Sequence, residues 1–204
     1  MDKEKSSKNM QKKAEKRQLI LNAARKIFTR DGYHNARVET IAVEAGVGKG
    51  TVYEYFSSKQ ELFQKMLEEN NLLYQKVFFH FYLKGHSLED SLYYVIKKHI
   101  ELCIANRDMT FLIMQELPSM RGELKEWFIE LNKRRERIFR EHIEEVMRDH
   151  IIRDVDIDAL VFLLFGLLAS MELEIAVGRW NRDIDQISRA ITDIILHGIG
   201  PEKA

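Results

Sequence analysis

Hydrophobic residues recur at three- and four-residue spacings from about Ala14 almost to the end of the chain, the pattern of amphipathic helices. The first stripe is Leu19, Ile20, Ala23, Ala24, Ile27 and Phe28. Asp31-Gly32 ends that helix, with Gly32 as its C-terminal cap. Tyr33 to Arg37 reads as a loop in which Asn35 is placed to cap the second helix. Val38, Ile41, Ala42 and Ala45 form the inward face of that second helix. In a third, Val52 and Phe56 are four apart and share one face. A fourth helix over residues 59–83 carries Leu62, Phe63, Met66, Leu67, Leu72, Leu73, Val77, Phe78, Phe81 and Tyr82. Gly85-His86-Ser87 breaks it, and Ser87-x-x-Asp90 has the form of a capping box. A fifth helix is predicted over 88–105 and a short sixth over 109–116, stopped by Pro118. A long seventh is predicted over 120–150. The eighth, 156–179, is apolar nearly all round, so it must be covered on several sides. The ninth, 183–197, carries an isoleucine stripe suited to a helix–helix seam. Residues 1–13 lack periodicity and are expected to be disordered. The fold class is all-α.

The second and third helices enclose Ala45-Gly46-Val47-Gly48-Lys49-Gly50-Thr51-Val52-Tyr53-Glu54-Tyr55-Phe56. Two helices that nearly touch need a turn residue tolerant of positive φ, and Gly46 suits that turn. Ala42 permits close approach, Val47 can plug the gap, and Gly48 is a tolerated N-cap. With Val52 and Phe56 inward, Gly50, Thr51, Glu54 and Tyr55 lie opposite, and Lys49 and Tyr53 lie at the border. A short, polar, flat face with a glycine suits a DNA major groove. An αα-hairpin that only packs would share the turn and the inward face.

Charge favours DNA. The 204 residues have a net charge of zero, but residues 1–60 hold thirteen basic and seven acidic side chains, and the remainder is net −6. A basic end bearing the helix-turn-helix fits DNA binding at that end. The lysine-rich arm also reads as a solubilising tail. The single Cys103 excludes an internal disulfide, and its apolar neighbours describe a buried thiol. The charged N-terminus leads into no signal-peptide core. The apolar run Ala159–Met171 is shorter than a membrane span. The expected compartment is the bacterial cytoplasm, without membrane association.

Enzymatic chemistry finds no support. His142-x-x-Glu145 lacks the companion carboxylates of a di-metal bundle. Gly46-x-Gly48-x-Gly50 lacks the strand and spacing of a phosphate loop. No nucleophile–base grouping is apparent, so no catalytic residue, metal ligand or cofactor is assigned. Two classes remain: a ligand-gated DNA-binding regulator, or a helical interaction protein whose helix-turn-helix is only structural.

The run Gly32-Tyr33, Val38-x-x-Ile41-Ala42-x-x-Ala45-Gly46-Val47-Gly48-Lys49-Gly50-Thr51-Val52-Tyr53-x-Tyr55-Phe56-x-x-Lys59-x-x-Leu62 resembles the DNA-binding domain of the TetR family of bacterial repressors. The resemblance implies an N-terminal arm and three-helix DNA-binding domain over 1–58, and a helical ligand-binding and dimerisation domain over 59–204. It implies a homodimer on a near-palindromic double-stranded operator, released when a small molecule binds. Arg37, Gly48, Lys49, Gly50, Thr51, Tyr53, Glu54, Tyr55 and Lys59 map onto DNA-facing positions. Lys49 can reach a guanine edge or a phosphate, Thr51 a thymine methyl or a base edge. Tyr53 and Tyr55 suit phosphates, Glu54 a cytosine N4, and Lys59 a phosphate clamp. Two departures from the family pattern bear on phosphate contacts. Ala36 and Arg37 stand where a Thr or Ser cap is usual, and Gly48 stands where Ser is usual.

In the second domain, Met66, Phe78, Phe81, Phe111, Met114, Trp127, Phe128 and Leu131 could line an apolar effector cavity. The same spacing also describes plain core. Glu116 and Arg121 flank Pro118, where either a polar ligand head or solvent would meet them. The basic run Lys133–Arg137 reads as a solvated face. An apolar or amphipathic effector is expected, a fatty acid or acyl-CoA by resemblance to fatty-acid-responsive members of the family. A lipophilic cationic drug is the alternative. The last two helices build the dimer interface in the resembled family, which implicates Phe162, Phe165, Leu168, Ile184, Ile187, Ile191 and Ile195. An intramolecular core is the competing reading of those residues.

Overall fold

The computed structural model of the chain describes residues 2–78 and 86–198. Among them every regular element is helical. The helices are α1 (Asp2–Asn35), α2 (Val38–Glu44), α3 (Lys49–Tyr55), α4 (Lys59–Phe78), α5 (Leu88–Ala105), α6 (Arg107–Glu116), α7 (Gly122–Arg148), α8 (Ile157–Ala176) and α9 (Ile184–His197), with a 3-10 turn at Leu117–Ser119 between α6 and α7. Two compact units result. One comprises the chain through Asn70 together with Leu112–Lys125, and the other Asn71–Phe111 and the chain from Glu126. Helices α4, α6 and α7 therefore each run through a unit boundary.

The first unit is built on α1, α2 and α3. Ile20, Ala24, Ile27, Phe28, Ile41, Ala42, Val52, Phe56, Leu62 and Phe63 are buried, as the sequence periodicity predicts. Phe28 and Phe63 meet edge to face with ring centroids 5.0 Å apart, a favourable aromatic geometry. The helix expected from Ala14 begins instead at Asp2. The lysines, glutamates and glutamines of that stretch are good helix formers, and it contains no glycine or proline to stop them. Residues 9–18 carry an almost wholly exposed surface, so this extension continues α1 without adding core.

Helix α1 is broken at Gly32, with φ 75° and ψ 165°, as expected of its cap, and Tyr33–Asn35 add one further turn. Asn35 does not cap α2. Arg37 takes the N-cap position with no side-chain hydrogen bond. Serine caps α4, since Ser58 Oγ accepts from the Glu61 N–H at 3.0 Å while Glu61 accepts from the Ser57 N–H at 2.6 Å.

The second unit packs α5 against α8 and α9. One cluster joins Tyr74, Ile96, Ile100, Cys103, Met171 and Ile175. A second holds Leu92, Val95 and Val146, and a third Phe139, Ile143 and Val161. Three helices start on acceptors the sequence supplies in place. Ser87 accepts from Asp90, Asp156 from Ala159 and Asp183 from Gln186. The expected break at Gly85, and Phe81 and Tyr82 before it, lie outside the described residues.

Helix α8 differs from its neighbours. Its 20 residues are long and apolar enough to cross a membrane by length and composition, a property the shorter uninterrupted apolar run conceals. Little of it is buried within the chain. Phe162 is 80% exposed and Leu163 67%.

Candidate nucleic-acid interface

The α2–α3 corner is a Schellman turn. The Gly46 N–H donates to Val43 O at 3.1 Å, and the Val47 N–H donates to Ala42 O at 3.0 Å. The residue between them must be left-handed, and Gly46 has φ 66°. The turn thus satisfies the last carbonyls of α2 and redirects the chain within a few residues. Gly48, extended at φ −73° and ψ 151°, is the N-cap of α3.

Helix α3 buries Val52, with Phe56 buried just beyond it, and presents the opposite face. Lys49, Gly50, Tyr53 and Glu54 are exposed, as are Arg37 and Gly48 beside them. Thr51 is half-buried. At Gly48 and Gly50 an added Cβ would meet nothing of this chain within 4 Å. Lys49 pairs with Glu39 of α2, which holds its ammonium pKa above the usual lysine value and the Glu39 pKa below the usual carboxylate value. Its Nζ also lies 5.8 Å from the centre of the Tyr53 ring, within cation–π range.

Two residues depart from the expected face. Tyr55 is half-buried and borders a groove of about 650 Å³ beside Lys12, Lys13, Lys16 and Leu19 of α1. It turns toward the helical N-terminal extension. Lys59 is not a free phosphate clamp. Its Nζ donates to the carbonyls of Tyr33 (2.8 Å), His34 (3.1 Å) and Ala36 (3.1 Å) and lies 4.8 Å from the centre of the Tyr33 ring. These bonds close the end of α1, where carbonyls lack helical partners. Partial burial there lowers the lysine pKa.

Glu116 belongs to this unit as well, and not to solvent or an effector. Its side chain is only 12% exposed. Oε1 accepts from the Tyr33 N–H at 2.8 Å, and Oε2 lies 3.7 Å from His34 Nε2. The charge of Glu116 opposes the lowering of the Lys59 pKa. The corner after α1 is therefore held from two sides, by a lysine at the start of α4 and a carboxylate at the end of α6. Sequence periodicity carries no signal for either pairing, because the partners lie far apart in the chain. Arg121, expected beside Glu116 at the ligand head, bonds locally instead, donating to the carbonyls of Pro118 and Met120.

The residues expected around an effector fall in both units. Met66 is buried in the first, and Met114 also belongs there. Phe111, Trp127, Phe128 and Leu131 belong to the second, where Phe111 is exposed and the other three are half-buried. Phe81 and the Phe78 side chain lie outside the described residues. The second unit has an apolar cavity of its own, about 480 Å³, and other residues line it. They include Leu92, Ile143, Ile152, Leu164 and Ile195, with Arg153 at its wall. Of the residues expected at a dimer interface, Phe162 is open. Phe165 stacks edge to face on Phe139 at 5.2 Å. Leu168 borders a small cavity with Arg135 and Glu172. Ile184, Ile187, Ile191 and Ile195 pack against the Cys103 cluster. The isoleucine stripe is thus half-buried within the chain, because α9 lies along α5.

Comparison with known proteins places both ends of the chain. Residues 20–66 match the model of bacterial regulatory proteins of the TetR family, and residues 85–199 match that of a tetracyclin repressor-like C-terminal domain. The fatty acid metabolism regulator protein of Bacillus subtilis is 23% identical over 191 residues, covering 93% of this chain and 98% of that protein. A crystal structure of FadR from Bacillus subtilis in complex with stearoyl-CoA shares the fold, with a TM-score of 0.72 at 22% identity over 90% of this chain and 99% of that one. FadR of Bacillus halodurans, a fatty acid degradation regulator, gives 0.73 at 22% identity with the same coverage. A basic helix-turn-helix joined through α4 to a helical second unit, matched in both parts, makes this chain a member of the TetR family of DNA-binding transcriptional regulators, and not an enzyme.

Proposed function

We propose that the protein is a homodimeric repressor that leaves a near-palindromic operator when a long-chain acyl-CoA or fatty acid binds. The observation that carries the effector reading is the similarity to a fatty acid metabolism regulator across 98% of that protein's length. The apolar cavity of the second unit supports it, being of a size that accepts a small ligand and bordered by the cationic Arg153. That charge favours an anionic amphiphile over a lipophilic cation. The open faces of Gly48 and Gly50, with Arg37 and Lys49, support α3 as the groove-reading helix, since a missing Cβ there leaves room for an approaching partner.

The dimer reading rests on Phe162 and Leu163, which leave an apolar face on α8 that the chain itself does not cover. Residues 1–58 would act as the DNA-binding domain and 59–204 as the regulatory one. Because α4, α6 and α7 are continuous through the unit boundaries, a ligand that favours one arrangement of the second unit can shift the spacing of two DNA-binding units. As a soluble DNA-binding regulator it would act in the cytoplasm.

The test is fluorescence anisotropy on DNA from upstream of the protein's own gene, with random DNA as control. Stearoyl-CoA is expected to weaken specific binding by at least about tenfold, a coupling within the usual allosteric range, and free CoA to leave it unchanged. Release by a lipophilic cationic dye and not by stearoyl-CoA would transfer the effector assignment to that class. No preference over random DNA at moderate salt would sink the operator reading.

A further inference from the structure

Inside the second unit, α5 and α8 bring three metal-ligating side chains together. His99 and Cys103 are one turn apart on α5 and fully buried. Glu172 comes from α8. One donor atom from each lies within 4.8 Å of the others. Cys103 Sγ is 3.5 Å from His99 Nε2, and His99 Nε2 is 3.9 Å from Glu172 Oε1. We propose that His99, Cys103 and Glu172 form a binding site for a borderline-soft divalent cation of the zinc class, linking α5 to α8.

The spacing fits that chemistry. A tetrahedral zinc with its usual bond lengths holds sulfur and imidazole nitrogen about 3.6 Å apart, and nitrogen and carboxylate oxygen about 3.4 Å apart. The Cys–His pair is already at that separation, and the His–Glu pair needs to close by about 0.5 Å to reach it. A thiolate, a carboxylate and a neutral imidazole select zinc or cobalt over the harder magnesium or calcium. Their charges also cancel those of a dication, so the loaded site is neutral and can remain buried. The cluster has the outer shell such sites use. The Leu168 backbone lies beside His99, and the Tyr74 side chain lies beside Cys103 and Thr110. The Tyr74 ring meets the His99 ring edge to face at 5.8 Å.

Protonation is consistent with this. Burial pushes the Cys103 thiol up to about 12, so without a cation the thiol keeps its proton, and burial also raises the Glu172 pKa. Burial also lowers the His99 pKa to about 4, leaving the neutral ring a metal requires. Arg135, in the wall of a cavity of about 60 Å³ that Glu172 also borders, lowers the pKa of all three. It thus favours the ligating forms, although its own charge repels a cation. Binding would release the thiol proton, and the carboxyl proton where present, to solvent.

The full-length protein tests this by titration with Co²⁺ as the probe. The expected result is one cobalt per chain with a thiolate-to-cobalt charge-transfer band in the near ultraviolet, bleached by Zn²⁺. Cys103 is the only cysteine, so the band has one possible source, and Cys103→Ser should abolish it. Glu172→Gln keeps the side-chain shape and should weaken binding by at least about tenfold, with helical circular dichroism unchanged. The absence of a stoichiometric band in the wild type overturns the proposal. A folded Glu172→Gln protein with undiminished affinity does the same.

Discussion

Gly32 shows how much one backbone position decides. Its φ of 75° and ψ of 165° fall in a region that is essentially restricted to glycine. There α1 gives way to the corner that leads into α2. An added Cβ would also stand 2.8 Å from Glu116 Oε1, but that carboxylate ends a flexible side chain and can withdraw. The backbone strain cannot be relieved so easily. Gly32→Ala is therefore expected to destabilise the first unit by about 1–3 kcal/mol, read as a lower midpoint in chemical denaturation. Most of that loss should persist in a Glu116→Ala background, because the strain is conformational. An unchanged midpoint would mean that the corner readily adopts another path. Gly32 and Gly46 were both legible in the sequence, because a left-handed turn is a local demand on one residue. Lys59 and Glu116 were not. The carbonyls that Lys59 binds are 23 to 26 residues before it, and the Tyr33 N–H is 83 residues before Glu116. Nothing in a local pattern distinguishes such side chains from solvated ones.

At the scale of elements, periodicity identifies an apolar face but not what covers it. The isoleucines of α9 and the apolar residues of α8 are equally good candidates for an interface when read as stripes. The structure separates them. Ile184, Ile187, Ile191 and Ile195 pack onto the core around Ile100 and Cys103, whereas Phe162 and Leu163 project from α8 without cover in the chain. An apolar surface of that kind calls for a partner, and in the proposed dimer the partner is the same helix of a second copy. Phe162→Glu places a charge on this face while leaving the core of the chain intact. It is expected to halve the mass seen in sedimentation equilibrium. Losing the linked second half-site should cost about a hundredfold or more in operator affinity. A variant that stays dimeric would move the interface elsewhere, to the exposed Ile194 or beyond. The N-terminal extension differs from both helices. Residues 2–13 have no apolar stripe, yet they continue α1, because intrinsic helix propensity does not require a buried face.

For the whole molecule, the decisive property is a charge imbalance that the net charge of zero conceals. The first sixty residues carry +6 and the rest −6, and the basic part is the part matched to a DNA-binding family. Counterion release makes the consequence measurable. The logarithm of operator affinity falls with the logarithm of salt concentration by about 0.9 for each phosphate neutralised on B-form DNA. Lys49 is the exposed cation on α3, and in the free protein it pairs with Glu39. As the proposed DNA contact it would exchange that carboxylate for a phosphate or a base edge. If the exchange is to phosphate, Lys49→Gln lowers the magnitude of the slope by about 2 for a dimer, which carries two copies, and by about 1 for the monomeric Phe162→Glu protein. If it is to a guanine edge, the slope changes less and discrimination against one base position is lost instead, by about 1–3 kcal/mol. Salt titrations on the intact operator and on single-base variants distinguish the two, and the ratio of the slopes in dimer and monomer counts the copies of α3 on the DNA. A slope and a base preference that are both unchanged would remove Lys49 from the interface and leave Arg37 and the lysines of the extended α1 to supply the phosphate contacts.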